Sequence, residues 1–283
     1  MPPAPVVDAH HHVWDLSVRP QEWMTGSRMD PIRRDFTLDE LAVEARAAGV
    51  GPPDHSHPVP APADPPVCRP RAPRHYLGGG VVGWTDLTAP GVADTLAALR
   101  GGPGGGALVS VRHPVEGEAD PEWLLRPDVL RGLAAVADAG LAYDLLVRPH
   151  QLPAAIGAAR SLPGLTFVLD HLAKPPVAEG RTSPWAERLR ELAALPNTVA
   201  KLSGLVTEAD WDSWTAGDLR PYTDIALDAF GPERLMFGSD WPVCRLAASY
   251  GAVLDAARTV TDGLSAAERD AVLSGTARRV YTL

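Results

Sequence analysis

The sequence has few of the features that mark secreted, membrane or nucleic-acid-binding proteins. It contains only two cysteines, Cys68 and Cys244, with no CxxC motif, which argues against a disulfide framework and fits a reducing compartment. No apolar run approaches the ~20 residues of a membrane-spanning helix, and no basic region followed by an apolar run marks a signal peptide. The net charge is −9 and there is no basic stripe. We therefore predict a cytoplasmic protein that binds neither nucleic acid nor membranes.

The chain alternates short apolar stretches with amphipathic ones. Its 283 residues are 45% hydrophobic and 22% charged, an ordinary globular composition, and we predict a single domain over residues 1–283. Seven stretches are short and apolar on both faces, and helical spacing separates them, which is typical of buried parallel strands. These predicted strands are 6–15, 80–84, 107–113, 141–147, 166–171, 198–204 and 234–242.

This pattern predicts an α/β fold, namely a (β/α)8 TIM barrel in which the second β/α unit is abnormal. The gap before residue 80 is long enough for an eighth strand and its helix. Capping boxes at Thr37–Glu40 and Ser265–Glu268 mark two helix starts. A doubly wound open sheet is the alternative, although no GxGxxG motif follows the first strand.

Residues 51–77 fit neither a helical nor a strand period. The stretch GPPDHSHPVPAPADPPVCRPRAPRHYL is dense in proline, arginine and histidine, where a hydrophobic second strand is expected. Our hypothesis is that it is read out of frame until near Gly78, because a GC-rich coding sequence read out of frame yields such mixtures. Its histidines and Cys68 match no standard zinc-site spacing. Resequencing the coding DNA tests this hypothesis.

The first predicted strand carries the motif around which the expected site is organised, Asp8-Ala9-His10-His11-His12. Side chains of a strand alternate between its faces, so Asp8, His10 and His12 are expected on one face and His11 on the other. Two imidazoles two residues apart can direct ring nitrogens to one metal ion at ~2 Å. A polar loop or a tag fragment is the alternative, but a tag would be a longer histidine run without a flanking strand.

Polar side chains recur where the later predicted strands end. The active site of a barrel lies at the C-terminal ends of its strands, and buried charges are costly unless they are paired or ligated. Such a ring therefore indicates a functional site, although each residue could instead cap a strand or fix a loop. The residues are Arg112, His113, Arg148, His150, Asp170, His171, Lys174, Lys201, Ser203, Asp240 and Trp241.

Four motifs in order, DAHHHVWD, VLDHLAKPP, KLSGL and MFGSDWP, resemble the amidohydrolase-related group of the amidohydrolase superfamily. The most similar branch holds sugar-acid lactonases such as L-fuconolactonase and L-rhamnono-lactonase, and 2-pyrone-4,6-dicarboxylate lactonase is more distant. The resemblance covers the chain except for 51–77, and it departs from the family at Thr276, where asparagine is usual. It implies a barrel hydrolase that acts on a small molecule.

The resemblance also implies roles for individual residues. One divalent metal ion, zinc in many members, would be held by His10, His12, His171 and Asp240. Some lactonase members work without a metal, and the same histidines would then orient the carbonyl. Asp240 and His171 fall on catalytic positions, with Asp240 as the general base that takes a proton from water. The residues expected to bind substrate are Arg112, His113, Lys174 and Trp241.

The expected function is hydrolysis of the lactone ring of a sugar acid or of a similar small carboxylated lactone. One alternative is a metal-dependent decarboxylase of the aminocarboxymuconate-semialdehyde type, which shares the superfamily, the HxH pair and the last-strand aspartate. Another alternative is a non-catalytic homologue disabled by the 51–77 segment. A homo-oligomer is compatible with each of them.

Overall fold

The computed structural model describes residues 5–50 and 79–283, so the anomalous segment 51–77 lies outside the described residues. Within the described ranges, six parallel strands form one curled sheet, in which each strand pairs with the next along the chain. The strands are β1 (Val81–Gly83), β2 (Leu108–His113), β3 (Ala142–Leu145), β4 (Phe167–Leu169), β5 (Thr198–Leu202) and β6 (Leu235–Phe237).

Helices connect the strands, because a chain must return along the sheet before it can add a parallel neighbour. The capping boxes predicted at Thr37 and Ser265 are confirmed, since each side chain accepts a hydrogen bond from the backbone N–H three residues on. The helices are α1 (Leu38–Ala47), α2 (Val92–Gly101), α3 (Pro127–Asp138), α4 (Leu152–Ser161), α5 (Trp185–Ala193), α6 (Leu205–Glu208), α7 (Ala216–Phe230), α8 (Tyr250–Val260), α9 (Ala266–Asp270) and α10 (Thr276–Tyr281).

The N-terminal segment runs beside β6 without forming the regular strand predicted over 6–15. The Ala9 N–H donates to the carbonyl of Phe237 at 2.9 Å, as in a parallel ladder. The Asp8 carboxylate then accepts the N–H of Ser239 at 2.8 Å, in place of a backbone carbonyl. One isolated bridge follows, so the segment extends the sheet past β6 with an interrupted ladder.

Apolar side chains cover both faces of the sheet, as the two-sided apolar strands predict. A large cluster packs the helices against the outer face. A smaller cluster, the inner cluster, lies inside the curl and includes Val7, Ala9, Val82, Ala142, Val168, Val199, Met236, Ala277 and Tyr281. The C-terminal helix α10 thus contributes side chains to the inner face.

Helix α7 also begins with a capping box, and it contains a proline. The helix begins at Ala216, because Thr215 and Asp218 form the capping box, and Pro221 is accommodated inside it. No helix within the described ranges is long and apolar enough to cross a membrane.

Candidate active site

Two imidazoles of the N-terminal segment converge beside the end of β6. The Nε2 atoms of His10 and His12 lie 3.2 Å apart, and both side chains are buried. The segment approaches β6 this closely because Gly238 has no side chain, and a Cβ there would lie 2.5 Å from the Cβ of His10. His10 and His12 therefore share an orientation as predicted, whereas the Asp8 carboxylate turns to Ser239 and accepts its hydroxyl at 2.6 Å.

Asp240 joins this pair from near the C-terminus of the chain. Its Oδ1 lies 3.2 Å from Nε2 of His12 and 3.6 Å from Nε2 of His10. Asp240 has a left-handed backbone with φ of 56°, a conformation that non-glycine residues rarely adopt. Its N–H donates to the carbonyl of His10 at 2.7 Å. Backbone and side chain of Asp240 are thus both held against the segment that carries the two histidines.

His171 enters from the turn that follows β4. Residues 171–174 all have positive φ, between 50° and 61°, at a cost of roughly 1–2 kcal/mol per residue. Tertiary contacts hold this turn: Trp185 Nε1 donates to one of its carbonyls at 2.6 Å, and His171 Nδ1 lies 2.9 Å from Ser203 Oγ. The turn places His171 Nε2 3.9 Å from Oδ1 of Asp240.

These four side chains form what we call the imidazole cluster: His10, His12, His171 and Asp240. Burial lowers the pKa of His10 and His12 well below the ordinary value and the pKa of His171 to about 4, so the imidazoles are neutral. Burial raises the pKa of the Asp240 carboxyl. Ligands at ~2.0–2.1 Å around a tetrahedral zinc ion lie about 3.3 Å apart. Nε2 of His10, Nε2 of His12 and Oδ1 of Asp240 lie 3.2 to 3.6 Å from one another, which fits three ligands of one such ion. His171 lies 3.9 Å from Asp240, at the edge of this set.

A second buried set of side chains, the ion cluster, lies against His10 and consists of Lys201, Asp144, Asp170 and Arg112. Lys201 Nζ lies 2.5 Å from Asp144 Oδ2 and 2.9 Å from Asp170 Oδ1. Arg112 Nη1 lies 2.8 Å from Asp170 Oδ2. Burial opposes these charges, but the nearby cations hold the pKa of Asp170 well below its ordinary value and the two carboxylates raise the pKa of Lys201.

Two of the predicted substrate-binding residues lie close to the imidazole cluster. Arg112 places Nη1 3.3 Å from Nε2 of His10. Lys174 ends the left-handed turn and pairs with Glu116 at 2.6 Å. Burial raises the pKa of Glu208, and the charge of Lys174 opposes that shift. Arg112 and Lys174 therefore bring positive charge to two sides of the candidate site.

The other two predicted substrate-binding residues make their contacts with protein side chains. His113 Nε2 lies 2.7 Å from Glu118 Oε1, and its ring stacks on Trp123 with centroids 4.4 Å apart. Trp241 is fully buried and packs edge-on against Phe36 at 5.2 Å. Substrate contacts by His113 and Trp241 stay predictions.

Sequence reasoning missed Asp144, and it treated Asp170 and Lys201 only as polar residues near strand ends. Asp144 is the one charged residue in the apolar stretch LAYDLLV, residues 141–147. It is fully buried and accepts a hydrogen bond from Ser110 Oγ at 2.6 Å. A carboxylate inside a buried strand has to be paired, and this signal could have identified the ion cluster.

Comparison with known proteins gives concordant results. The amidohydrolase family profile matches residues 7–283. The chain is 40% identical to an L-fucono-1,5-lactonase of Burkholderia multivorans over 98% of this chain and 96% of the relative, and 37% identical to an L-fucono-1,5-lactonase of Burkholderia ambifaria over 87% and 83%. A crystal structure of an amidohydrolase from Burkholderia multivorans with bound zinc is 37% identical, with a TM-score of 0.86 over 99% of this chain and 100% of that chain.

Proposed function

The chain belongs to the amidohydrolase family, and on that premise we propose that it hydrolyses the lactone ring of a sugar acid. The observation that carries this proposal is the convergence of three neutral imidazoles and one buried carboxylate, with neighbouring Nε2 and Oδ1 atoms 3.2 to 3.9 Å apart. The lactonases among its relatives make L-fucono-1,5-lactone the first substrate to test.

We propose that the imidazole cluster holds one divalent metal ion through His10, His12, His171 and Asp240. The spacing of His10, His12 and Asp240 and the neutral imidazoles support zinc, and a similar crystal structure contains zinc. When bound, such an ion supplies Lewis acidity toward a lactone carbonyl. Arg112 Nη1, 3.3 Å from Nε2 of His10, offers a protein cation at the same place, which supports the metal-independent alternative.

Asp240 is the proposed general base. It takes a proton from the attacking water and then donates this proton to the alkoxide that leaves when the ring opens. Burial favours both steps, because a raised pKa brings the carboxyl closer to the pH at which the enzyme works. In the metal-independent alternative, His171, held through its Nδ1 by Ser203, is proposed to orient the lactone carbonyl.

Charge pairing around the site supports an uncharged lactone over a dicarboxylated ring. Three basic side chains near the site already have carboxylate partners within 2.8 Å: Lys174 with Glu116, Arg112 with Asp170 and Lys201 with Asp144. A dicarboxylate would have to displace these partners, which leaves buried charges unpaired. We propose that Lys174 and Glu116 instead form hydrogen bonds with hydroxyl groups of a sugar lactone.

The curled sheet also supports the (β/α)8 barrel as a proposal. Val7, beside β6 at one edge of the sheet, and Val82, on β1 at the other edge, lie in the same inner cluster. The two edges of the six-stranded sheet therefore approach each other, while the predicted second β/α unit lies outside the described residues. The single domain, the cytoplasmic location and a homo-oligomer stay predictions.

A panel of lactones assayed with a pH indicator tests the proposed activity. The panel contains 1,5- and γ-lactones of sugar acids and 2-pyrone-4,6-dicarboxylate, and a carbon dioxide assay with carboxylated substrates runs in parallel. We expect acid release from the sugar lactones and no carbon dioxide. Carbon dioxide release without lactone hydrolysis would favour the decarboxylase. A broad or absent thermal transition in circular dichroism would favour the disabled homologue.

A further inference from the structure

We propose that Asp170 is a positioning residue that keeps the proton of the His10 imidazole on Nδ1, so that the Nε2 lone pair points into the imidazole cluster. The functional role of this tautomer rests on the metal site proposed above, because a ring nitrogen that carries a proton cannot bind a metal. The tautomer itself is a property of the metal-free protein and can be measured without substrate.

A neutral histidine ring carries one N–H, and its neighbours decide which nitrogen has it. Nδ1 of His10 lies 3.3 Å from Oδ1 of Asp170, an ionised carboxylate that can only accept. Nε2 of His10 lies 3.3 Å from Nη1 of Arg112, a guanidinium that can only donate. A proton on Nε2 would place two donors against each other. A proton on Nδ1 would instead face Oδ1 of Asp170, a buried acceptor that has no hydrogen-bond partner among the described residues. Asp170 and Arg112 therefore require the same tautomer.

Two neighbours of His10 oppose this assignment, Asp240 and Lys201. Oδ1 of Asp240 lies 3.6 Å from Nε2 of His10, beyond hydrogen-bond distance, and 3.2 Å from Nε2 of His12, which is its nearer donor.

The second opposing neighbour is Lys201. Its Nζ lies 3.2 Å from Nδ1 of His10, and an ammonium can only donate. Two carboxylates lie closer to the same ammonium, Asp144 at 2.5 Å and Asp170 at 2.9 Å. Hydrogen bonds between charged partners are the stronger ones. The Lys201 ammonium donates to Asp144 at 2.5 Å, and its contact with His10 is the longest of the three, so we expect that contact to be the weakest.

The contact between His171 and Ser203 does not fix the tautomer of His171. His171 Nδ1 faces the hydroxyl of Ser203 at 2.9 Å, and a hydroxyl can donate or accept. The Asp170 carboxylate, by contrast, can only accept a hydrogen bond, so it can fix the tautomer of the imidazole that it contacts. An imidazole that donates its second N–H to a carboxylate is held in orientation and is a better metal ligand.

The tautomer is measured by NMR on metal-free wild-type protein labelled with ¹⁵N-histidine at neutral pH. His10 is assigned as the resonance pair that disappears in His10→Gln. We expect a protonated, pyrrole-like Nδ1 and an unprotonated, pyridine-like Nε2. A wild-type His10 with its proton on Nε2 overturns the proposal, whether or not the protein hydrolyses lactones.

Zinc affinity in the variants Asp170→Asn and Asp144→Asn gives a second test with a matched control. Each removes one buried carboxylate from the same Lys201, but only Asp170 contacts His10. Both oxygens of Asp170 face donors, so the NH₂ group of an asparagine must turn toward one of them. In competition with a chromophoric chelator, we expect Asp170→Asn to weaken zinc binding about 10–100-fold. Asp144→Asn should weaken it less, because Asp170 still faces His10 and still pairs with Lys201.

Each outcome of this comparison decides the question. Equal weakening by both variants shows that Asp170 acts only through the charge of the ion cluster, and it overturns the proposal. If Asp170→Asn does not fold, the wild-type tautomer decides alone. If the wild-type protein binds no zinc, the proposed metal site fails, while the NMR measurement still decides the role of Asp170.

Discussion

The imidazole cluster and the ion cluster are neighbours, and both are buried, but their polar groups are satisfied in opposite ways. In the ion cluster every charge has an opposite charge within 2.9 Å. In the imidazole cluster, Nε2 of His12 faces both Nε2 of His10 and Oδ1 of Asp240 at 3.2 Å, and a single N–H can serve only one of them. Buried acceptors without a shared proton or cation are costly. The imidazole cluster is therefore arranged for a ligand, whereas the charges of the ion cluster are paired within the protein.

Because of this difference, we expect substitutions in the two clusters to affect different properties of the protein. Changes in the imidazole cluster should reduce activity and metal binding and leave folding almost intact. Changes in the ion cluster should reduce the free energy of unfolding first. The variants below test that separation, beginning with the largest expected effect.

Asp240→Asn removes the proposed general base and keeps the size of the side chain. We expect kcat for lactone hydrolysis to fall about 10²–10⁴-fold. Because the pKa of Asp240 is raised by burial, an uncharged amide should leave the free energy of unfolding unchanged or higher. Initial rates at fixed pH and urea unfolding measure the two effects. A variant with nearly wild-type rate would assign the proton transfer to another group.

Lys201→Met leaves Asp144 and Asp170 without their shared cation. We expect the free energy of unfolding to fall by about 3–5 kcal/mol, because breaking a buried pair leaves charge uncompensated. Urea unfolding at neutral pH measures this loss.

Lys174→Met is the matched control, since Lys174 and Lys201 are the only lysines of the sequence. The Lys174 side chain is 18% exposed and that of Lys201 is 1% exposed, although both pair with a carboxylate. We expect a loss of about 0–1 kcal/mol for Lys174→Met. Similar losses of unfolding free energy in Lys201→Met and Lys174→Met would show that burial does not explain the effect of Lys201→Met.

Zinc should stabilise the wild-type protein through the imidazole cluster. At a free concentration 100 times Kd, the expected gain in the free energy of unfolding is ~2.7 kcal/mol. Thermal melts with zinc and with chelator measure it, and His12→Ala should abolish the shift. An unshifted melt, together with full activity after chelation, would select the metal-independent alternative that Arg112 supports.

Lys174→Met should have the smallest effect on catalysis. Losing a hydrogen bond from a charged group costs ~1.5 kcal/mol, so we expect KM for the sugar lactone to rise about tenfold with kcat little changed. Glu116→Gln, which keeps the length of the partner side chain, should raise KM less. A lowered kcat with unchanged KM would place Lys174 in the chemical step, contrary to its proposed role.

The strands, the helix caps and the HxH pair were predictable because each depends on local spacing. The left-handed turn over 171–174 was not, since it contains no glycine and depends on distant contacts from Trp185 and Ser203. The ion cluster was missed for a related reason. Asp144 and Lys201 lie in different strands, and their pairing at 2.5 Å depends on how the sheet curls.

By itself, the sequence determines which side chains are able to ligate a metal or transfer a proton. It also determines at which strand ends they lie, because hydrophobic periodicity and the order of the motifs can be recognised in the sequence. Only the tertiary structure decides that His12 contacts Asp240, 228 residues away. It also decides that His10 contacts both the other members of the imidazole cluster and the ion cluster. Those arrangements depend on burial and on distances across the curled sheet, which set the pKa values, the tautomer and the free energy of each contact.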